Sequence, residues 1–492
     1  MEKSRGTEAL LALEDAAPDV LFETVPGTDI QLWPLLRWPI TRSMAAAELN
    51  TGSVRRAVTR KDLLERAVRR RLPNPFASSR LRSPAPALFV VDGGTFASVP
   101  EGRKNWLVED HALAIPGSVI LQERALDRFT RRADRPTFAE TYSFEDAAAA
   151  VRALAKSNPP NSGVVAFAQT AIAEVYRRLE FDVDESGIAE AHRQLMVRLA
   201  RAPHTLKYFQ RLLDATQPSH AFVQTGAYGD RSHLIKLLKS GGTHVSEHQH
   251  GWIGPSHGAY NHGAAMREPA LSACVPDTLL TFGDFWSSNV RFANRTVAVG
   301  KPHIEERTVA AHTSGGPRTE VLIISGMYER EEMMRFTLRV RDALPDGWTV
   351  ALRPHPAERS TVHALYRGLV GQSGVRFDQA PDVYESITTS AGVFGLASTV
   401  LYEALAFGCP VFVIDSPLAD LTTDREIFGE RIANDDSLAT AVATVVETQS
   451  TGDRRTKDPA LLEYIWKSGS VQNFVDFVGK TTITGTTRSI NG

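Results

Sequence analysis

The sequence is poor in the features that mark secreted and nucleic-acid-binding proteins. Its 492 residues include two cysteines, and the net charge at pH 7 is −2. Cys274 and Cys409 lie in different halves of the chain and lack metal-ligand spacing, so we expect a reduced, cytoplasmic protein. A nearly balanced charge gives no reason to expect a nucleic-acid partner.

Long apolar runs are also absent. No stretch reaches the ~18 apolar residues needed to span a bilayer, and the amino end is charged, unlike a signal peptide. We therefore expect the protein in the cytoplasm, with the inner face of the membrane as a second option. A content of 42% hydrophobic and 23% charged residues is typical of a globular protein, and the length suits two domains.

The most informative motif occupies residues 392–415, GVFGLASTVLYEALAFGCPVFVID. Its pattern predicts a strand, a tight turn, a helix that Gly408 ends, and a second strand. Ser398 and Thr399 open this helix, where unpaired N–H groups and the helix dipole favour a phosphate. Glu403, one turn further on, is placed to reach a ribose hydroxyl. The alternative is that the two hydroxyl residues only cap a buried helix.

Two further polar clusters follow predicted strands of the same region. Arg353 and His355, in the segment RPHP, come after one strand, and Ser325 with Gly326 after another. In open parallel sheets, ligands bind at the carboxyl ends of the strands. The clusters therefore predict a pocket for a nucleotide mono- or diphosphate.

These residues carry a family resemblance. STVLYEALAFGCPVFVID is similar to the donor-binding segment of GT-B glycosyltransferases, in which a capped helix meets the donor phosphate and a glutamate meets the ribose. LRPHP resembles the His-Pro motif of bacterial sialyltransferases and CDP-glycerol-type polymer transferases, and capsule Kdo transferases carry related patterns. The resemblance spans residues 321–415. It implies an α/β fold of two Rossmann-like domains that face each other across a cleft, and no metal or other cofactor.

Histidines are concentrated in one segment, because five of the 14 fall within residues 244–262. Val245 marks a short strand, so we expect Glu247, His248 and His250 in the loop at its carboxyl end. Histidine exchanges protons near neutral pH, and we interpret His250, or its neighbour His248, as a general base, with Glu247 in the same catalytic set. The alternatives are zinc binding and structural roles. The segment QHG also resembles the acceptor-side His-Gly segment of capsule and teichoic-type transferases.

The predicted elements divide the chain into four parts. Residues 1–302 form an N-terminal Rossmann-like, acceptor-side domain, and 303–318 a linker. Residues 319–460 form the C-terminal domain for the donor nucleotide, and 461–492 form terminal helices with a tail that we expect to be disordered after Lys480.

Residues 55–82 are rich in arginine and carry part of a helical apolar stripe. A basic amphipathic helix can make peripheral contact with an anionic membrane, or it can be a solvated helix packed on its domain. Asp182 and Asp184 form a DxD pattern of the metal-binding type. No strand precedes them, so we interpret them as a solvated turn.

These features together predict a metal-independent GT-B glycosyltransferase of surface polysaccharide synthesis. It would move a sugar from a CMP- or UDP-type donor to a hydroxyl of a glycan or lipid-linked acceptor. The donor-side residues would stabilise the departing phosphate, and His250 or His248 would take the acceptor proton. A CDP-polyol phosphotransferase would use the same pocket. A sugar-nucleotide 2-epimerase shares the fold but needs carboxylates where the sequence predicts His and Arg, and a carbohydrate-binding module is the remaining alternative.

Overall fold

A computed structural model describes residues 1, 3–48, 77–81, 83–92, 95–123, 135–311, 318–326, 329–356, 358–451 and 458–488. Apart from 77–81, the basic segment predicted at 55–82 lies outside these residues, so its helix and its membrane contact stay predictions. The chain divides into two compact units. The first unit is Ser4–Phe282, Trp286–Gly300 and Gly469–Gly492, and the second is Met1–Lys3, Gly283–Phe285 and Lys301–Ser468.

The first unit is built on a parallel sheet. Its strands are β1 (Ala87–Val91), β2 (Phe96–Val99), β3 (Gly102–Asn105), β4 (Val119–Gln122), β5 (Thr141–Ser143), β6 (His220–Val223), β7 (His244–His248), β8 (Thr278–Thr281) and β9 (Arg295–Ala298). Within the described residues, seven of them form a sheet of order β5-β4-β1-β6-β7-β8-β9, and β2 pairs with β3. The order reverses between β1 and β6, as in Rossmann-like sheets.

Helices surround this sheet. They are α1 (Arg5–Ala16), α2 (Leu32–Glu48), α3 (Glu109–Leu113), α4 (Glu145–Ser157), α5 (Ser162–Arg178), α6 (Glu185–Thr216), α7 (Ser232–Ser240), α8 (Pro269–Ser272) and α19 (Ser470–Arg488). The chain passes between the units within α9 (Asp284–Ser288). Short 3-10 helices occur at Asp19–Phe22, Ser78–Arg80, Gly226–Tyr228 and Ala264–Arg267.

The C-terminal helix α19 corrects one expectation. It continues to Arg488, so the predicted disorder after Lys480 is wrong for residues 481–488. Threonine forms helices weakly, but Phe474 and Phe477 are buried in the core of the first unit and anchor the preceding turns. Packing of these aromatic rings thus supports a helix that local propensity does not predict.

The second unit has a smaller sheet. Its strands are β10 (Glu320–Ile324), β11 (Thr349–Arg353), β12 (Val375–Phe377), β13 (Gly392–Gly395) and β14 (Val411–Val413). In the described part of the chain these five strands are parallel, in the order β12-β11-β10-β13-β14. The predicted α/β class with two Rossmann-like sheets is therefore confirmed.

The second unit also contains helices. They are α10 (Pro302–Ala311), α11 (Arg330–Ala343), α12 (Val362–Leu365), α13 (Val383–Thr389), α14 (Thr399–Ala406), α15 (Pro417–Thr422), α16 (Arg425–Phe428), α17 (Asp435–Thr451) and α18 (Pro459–Ile465). Two 3-10 turns lie at Arg359–Thr361 and Arg367–Leu369. Residues 303–311, expected to begin a linker, are helical in α10. No helix among the described residues has the length and apolarity needed to span a bilayer.

Candidate functional site

The donor-side residues meet at one edge of the second sheet. Ile324 pairs in register with Arg353 on one side and with Gly395 on the other, so β10, β11 and β13 end side by side. The strand order reverses between β10 and β13, the place where open α/β sheets bind ligands. The predicted residues at or just after these strand ends are Ser325, Gly326, Arg353, His355, Ser398 and Thr399.

Ser398 begins helix α14 as the sequence predicts. Its backbone is extended, and its hydroxyl accepts a hydrogen bond from the N–H of Val400 at 3.2 Å. Thr399 is the first helical residue, and both side chains are half-buried. The cap leaves other N–H groups of the first turn without helical partners. A phosphate contact there stays a prediction.

Arg353 is more enclosed than the sequence indicates. Its guanidinium is buried, forms an ion pair with Asp378, and donates to Oγ of Ser386 at 3.0 Å. The charge of Arg353 is therefore balanced inside the second unit. Direct contact between Arg353 and a phosphate would have to compete with Asp378.

Ser325 and His355 flank a buried carboxylate. Ser325 Oγ donates to Glu358 Oε2 at 3.3 Å, and Arg330 Nε donates to Glu358 Oε1 at 2.6 Å. The carbonyl of His355 accepts from the N–H of Glu358 at 2.8 Å. Burial lowers the pKa of His355, while the charge of Glu358 opposes this effect. A neutral imidazole therefore lies at this edge at pH 7.

Glu403 is ion-paired in the structure. Its Oε1 accepts from Lys301 Nζ at 2.5 Å, and Lys301 also donates to the hydroxyl of Tyr384 at 3.0 Å. The side chains of Lys301 and Glu403 are each 7% exposed. Burial, together with the charge of Glu403, raises the pKa of Tyr384 well above its usual value. The ribose contact predicted for Glu403 stays a prediction, and a donor would meet a carboxylate already held by a lysine.

In the first unit, strand β7 is longer than expected. Glu247 pairs in register with Leu279 and His248 with Leu280, so both residues belong to the strand. Their predicted position in a loop is wrong, because pairing with β8 extends the strand through these polar residues. Consecutive strand residues point to opposite faces of a sheet, which separates the two side chains.

The ring of His248 lies in an aromatic core. It is close to Phe89, Phe222 and Phe474, and its Nε2 is 2.9 Å from Nδ1 of His111. Burial lowers the pKa of His248 well below its usual value and lowers that of His111 to about 3. Both rings are therefore neutral at pH 7. This environment suits a structural role, and we retain only His250 as the candidate base.

Glu247 faces the other side of the sheet and is fully buried. Its Oε1 accepts from the hydroxyl of Tyr260 at 2.7 Å, and its Oε2 accepts from the N–H of Ala227 at 2.8 Å. Burial raises the pKa of Glu247 to about 7, although the hydrogen bonds from Tyr260 and Ala227 lower it. The carboxyl group can therefore gain or lose a proton near neutral pH.

His250 follows β7 and lies close to the hydroxyl of Tyr260. Its Nδ1 is 3.5 Å from the hydroxyl of Tyr260. Burial lowers the pKa of His250, and the charge of Asp92 opposes this. Asp92 follows β1, and its N–H donates to Gln224 Oε1 at 3.1 Å, where the strand order reverses. We call Glu247, His250, Tyr260 and Asp92 the acid–base cluster.

A buried ion pair supports the loop that carries Tyr260. Nε of Arg37 donates to Oε1 of Glu14 at 2.6 Å, and Nε1 of Trp33 donates to the same oxygen at 2.8 Å. The guanidinium of Arg37 also donates to the carbonyl oxygens of Gly258 and Asn261. Helices α1 and α2 thus position the loop, a role that no sequence pattern indicated.

Metal-type patterns do not assemble into a site in the described residues. No group of three or more His, Cys, Asp or Glu side chains there is arranged to hold a metal ion. Asp184 instead caps α6 by accepting from the N–H of Gly187 at 2.7 Å, and Asp182 is exposed. Asp182 and Asp184 thus lie on the exposed segment just before α6.

Comparison with known proteins finds no matching protein-family model and no matching curated protein. Similar solved structures include a UDP-GlcNAc 2-epimerase from Neisseria meningitidis bound to UDP-GlcNAc, at 9% identity, covering 81% of this chain and 100% of that chain, with a TM-score of 0.43. A putative UDP-N-acetylglucosamine 2-epimerase from Listeria monocytogenes has 12% identity, 80% and 95% coverage, and a TM-score of 0.45. A ugt transferase from Siraitia grosvenorii in complex with UDP has 8% identity, 80% and 99% coverage, and a TM-score of 0.41.

Two of these neighbours are UDP-GlcNAc 2-epimerases by name, and the third is a transferase in complex with UDP. Their identities and TM-scores are low, so the similarity by itself assigns neither a family nor an activity to the chain. A choice between the two activities has to come from the chemistry of the site.

Proposed function

We propose that the chain is an enzyme that transfers a sugar from a UDP- or CMP-type donor to a hydroxyl of a glycan or lipid-linked acceptor. The observation that carries this proposal is the acid–base cluster. A carboxyl group whose pKa is about 7 lies beside a phenol and an imidazole, at the end of a parallel strand. Groups that titrate near the working pH are the most effective general acids and bases.

Donor binding is assigned to the second unit. Its sheet reverses strand order between Ser325 and the start of α14, where backbone N–H groups and hydroxyls favour phosphate oxygens. The neutral imidazole of His355 follows the neighbouring strand β11. These groups would stabilise the negative charge that develops as the nucleotide leaves.

Proton transfer is assigned to the acid–base cluster. The bond from the anomeric carbon to the phosphate oxygen breaks, and a bond to the acceptor oxygen forms. His250 accepts the hydroxyl proton, and the nearby charge of Asp92 stabilises the imidazolium. The Tyr260 hydroxyl lies between His250 and Glu247 and orients both groups.

A second candidate, a nucleotide-sugar 2-epimerase, is favoured by one observation. Besides His and Arg, the sequence predicted one carboxylate, Glu247, near a strand end, and the first sheet also has Asp92 after β1 and Glu123 after β4. Inversion at a carbon next to the anomeric centre requires a group that exchanges a C–H proton. Glu247, with its raised pKa, suits that task.

One experiment separates these candidates. UDP-, CMP-, CDP- and GDP-linked sugars are first screened by thermal shift, and the stabilising donor is then incubated in D₂O with and without an acceptor. A transferase releases nucleotide when an acceptor is present and leaves the donor's carbon-bound hydrogens unchanged. An epimerase yields an isomeric nucleotide sugar that carries deuterium at the inverted carbon. If no donor gave either product, this result would contradict the proposal.

Variants then test the two assignments separately. His250→Ala should reduce turnover by about 10²–10⁴-fold and leave donor affinity unchanged. Replacing Ser398 and Thr399 by Ala should weaken donor binding by about 1–3 kcal/mol in calorimetry. Asn161→Ala is the matched control, since it removes a helix cap in the first unit, where Asn161 accepts from Val164. Unchanged affinity of the Ser398/Thr399 variant would refute the donor assignment.

A further inference from the structure

A cavity of about 120 Å³ lies in the first unit, between α4, α6 and α7. We call it the arginine cavity, because guanidinium groups dominate its polar lining. Its charged lining residues are Arg152, Arg198, Arg201, Arg231, Glu123 and Asp230. Four positive groups therefore face two carboxylates, and the lining has an excess of positive charge.

One helix supplies much of this lining. Arg198, Arg201, Thr205 and Tyr208 are spaced three, four and three residues apart on α6. Because an α-helix has 3.6 residues per turn, these side chains lie on one face. That face directs two guanidinium groups and a tyrosine toward the same space.

Two of the arginines already have partners within the unit. Arg231 pairs with Glu123 at 2.8 Å, so these two charges neutralise each other. Arg198 donates to the carbonyl oxygens of Leu35 and Tyr228, at 2.7 and 3.3 Å. Burial lowers the pKa of Arg198, while the charge of Asp230 opposes this. Arg198 is thus a half-buried cation that donates to two neutral carbonyl oxygens.

His233 is a second, independent sign of a ligand. It lines the cavity and is 7% exposed. Among the described residues, neither of its ring nitrogens has a hydrogen-bond partner. Buried polar side chains are nearly always hydrogen-bonded, and an unpaired one destabilises a fold. A ligand in the cavity would supply the missing partner.

We propose that the arginine cavity binds the phosphate group of a small phosphorylated molecule. Guanidinium groups present pairs of N–H donors that match phosphate oxygens. The apolar part of the lining, which includes Phe144, Val151 and Leu234, would contact the carbon atoms of the ligand. This cavity is smaller than the about 300–1,000 Å³ that drug-sized ligands fill, so a small phosphorylated molecule is the expected occupant. This site is separate from the nucleotide site and does not depend on the proposed transfer reaction.

Calorimetry on the full chain tests the site with glucose 1-phosphate and inorganic phosphate as probes. Arg201→Gln removes an exposed guanidinium of the cavity, and His233→Gln alters its unpaired ring. Arg211→Gln, on the same helix but outside the cavity, removes the same charge and is the control. Arg201→Gln and His233→Gln should each weaken binding by about tenfold or more, and the control should bind like the natural chain.

The two probes also identify the source of the phosphate. Tighter binding of glucose 1-phosphate supports a phosphate ester as the ligand, and equal or tighter binding of inorganic phosphate supports free phosphate. Absence of binding by both probes would overturn the proposal, as would equal affinities in the natural chain and all three variants. Arg201 is exposed, so its variant keeps the test valid even where His233→Gln fails to fold.

Discussion

Tyr260 donates its hydroxyl hydrogen to Oε1 of Glu247 at 2.7 Å, and both side chains are fully buried. Burial disfavours a charged carboxylate and raises the pKa of Glu247 to about 7, whereas the hydrogen bond from Tyr260 lowers it. Burial and the charge of Glu247 also raise the pKa of Tyr260 well above its usual value. The balance between burial and this hydrogen bond sets the protonation of Glu247 near neutral pH.

Tyr260→Phe should raise the pKa of Glu247 further, because it removes a hydrogen bond that favours the charged carboxylate. The titration of the Glu247 carboxyl, followed by infrared difference spectroscopy, should move to higher pH. Any limb of the pH–rate profile that reports Glu247 should move with it. Tyr142→Phe, which alters a phenol bonded to Glu140, is the control. An unchanged titration in Tyr260→Phe would contradict this account.

Glu247→Gln should change how stability depends on pH. The folded chain holds the Glu247 proton up to a pKa of about 7, against a usual value of 4.5, so the folded state binds more protons between these values. The unfolding free energy of the natural chain should therefore fall as pH rises from about 4.5 to about 7, by on the order of 3 kcal/mol from this group. Urea unfolding at pH 5 and pH 8 measures the effect, which Glu247→Gln should lack.

The His111–His248 pair should make the first unit sensitive to acid. The pKa of His111 is about 3 when folded and near 6.5 when exposed, so the unfolded chain binds more protons between these values. Stability should fall as pH drops below about 6.5. Replacing both histidines by Phe keeps an aromatic ring at each position and removes the titratable nitrogens, and it should move acid unfolding, followed by tryptophan fluorescence, to lower pH. An identical acid midpoint in this variant would show that the pair does not drive the transition.

The Lys301–Glu403 pair allows a double-mutant cycle in the second unit. Lys301→Met should destabilise the fold by about 3–5 kcal/mol, because it leaves Glu403 buried without its partner. The double variant Lys301→Met with Glu403→Leu should regain most of this loss, since neither charge remains. Urea unfolding of the four proteins measures the coupling. If the unfolding free energies lost by the two single variants added up in the double variant, the two side chains would not depend on each other.

Turnover should persist in EDTA. The residues predicted to stabilise the departing nucleotide are N–H groups, hydroxyls and an imidazole, and Asp184 of the DxD pattern caps helix α6. An assay with the donor found by thermal shift, before and after chelation, checks this. Loss of activity that added metal restores would contradict the metal-independent mechanism.

The sheets were predictable because their central strands are short, continuous apolar runs. Ala87–Val91 and Glu320–Ile324 are buried along nearly their whole length, as expected for strands covered on both faces. The end of β7 was not predictable, because Ser246, Glu247 and His248 are polar and only pairing with β8 makes them a strand. The local sequence pattern thus identified the strands but not the polar end of β7.

The candidate site shows the same division between local and long-range information. The Ser398 cap depends on residues two positions apart, and it was predicted. The ion pairs that determine what the site residues can do join distant positions: Glu14 with Arg37, Lys301 with Glu403 and Arg353 with Asp378. Such pairs depend on the assembled fold, so no spacing in the sequence indicates them.

Helix α19 has a consequence for how the chain is made. Phe474 is fully buried and packs near Phe89 and Phe222 in the first unit, yet residues 301–468 of the second unit precede α19 in the chain. The strands of the first sheet therefore leave the ribosome long before Phe474, whose ring packs against this aromatic face. Until then, the nascent chain exposes apolar surface that invites aggregation. A late frameshift that removes only α19 would thus damage the unit that was synthesised first.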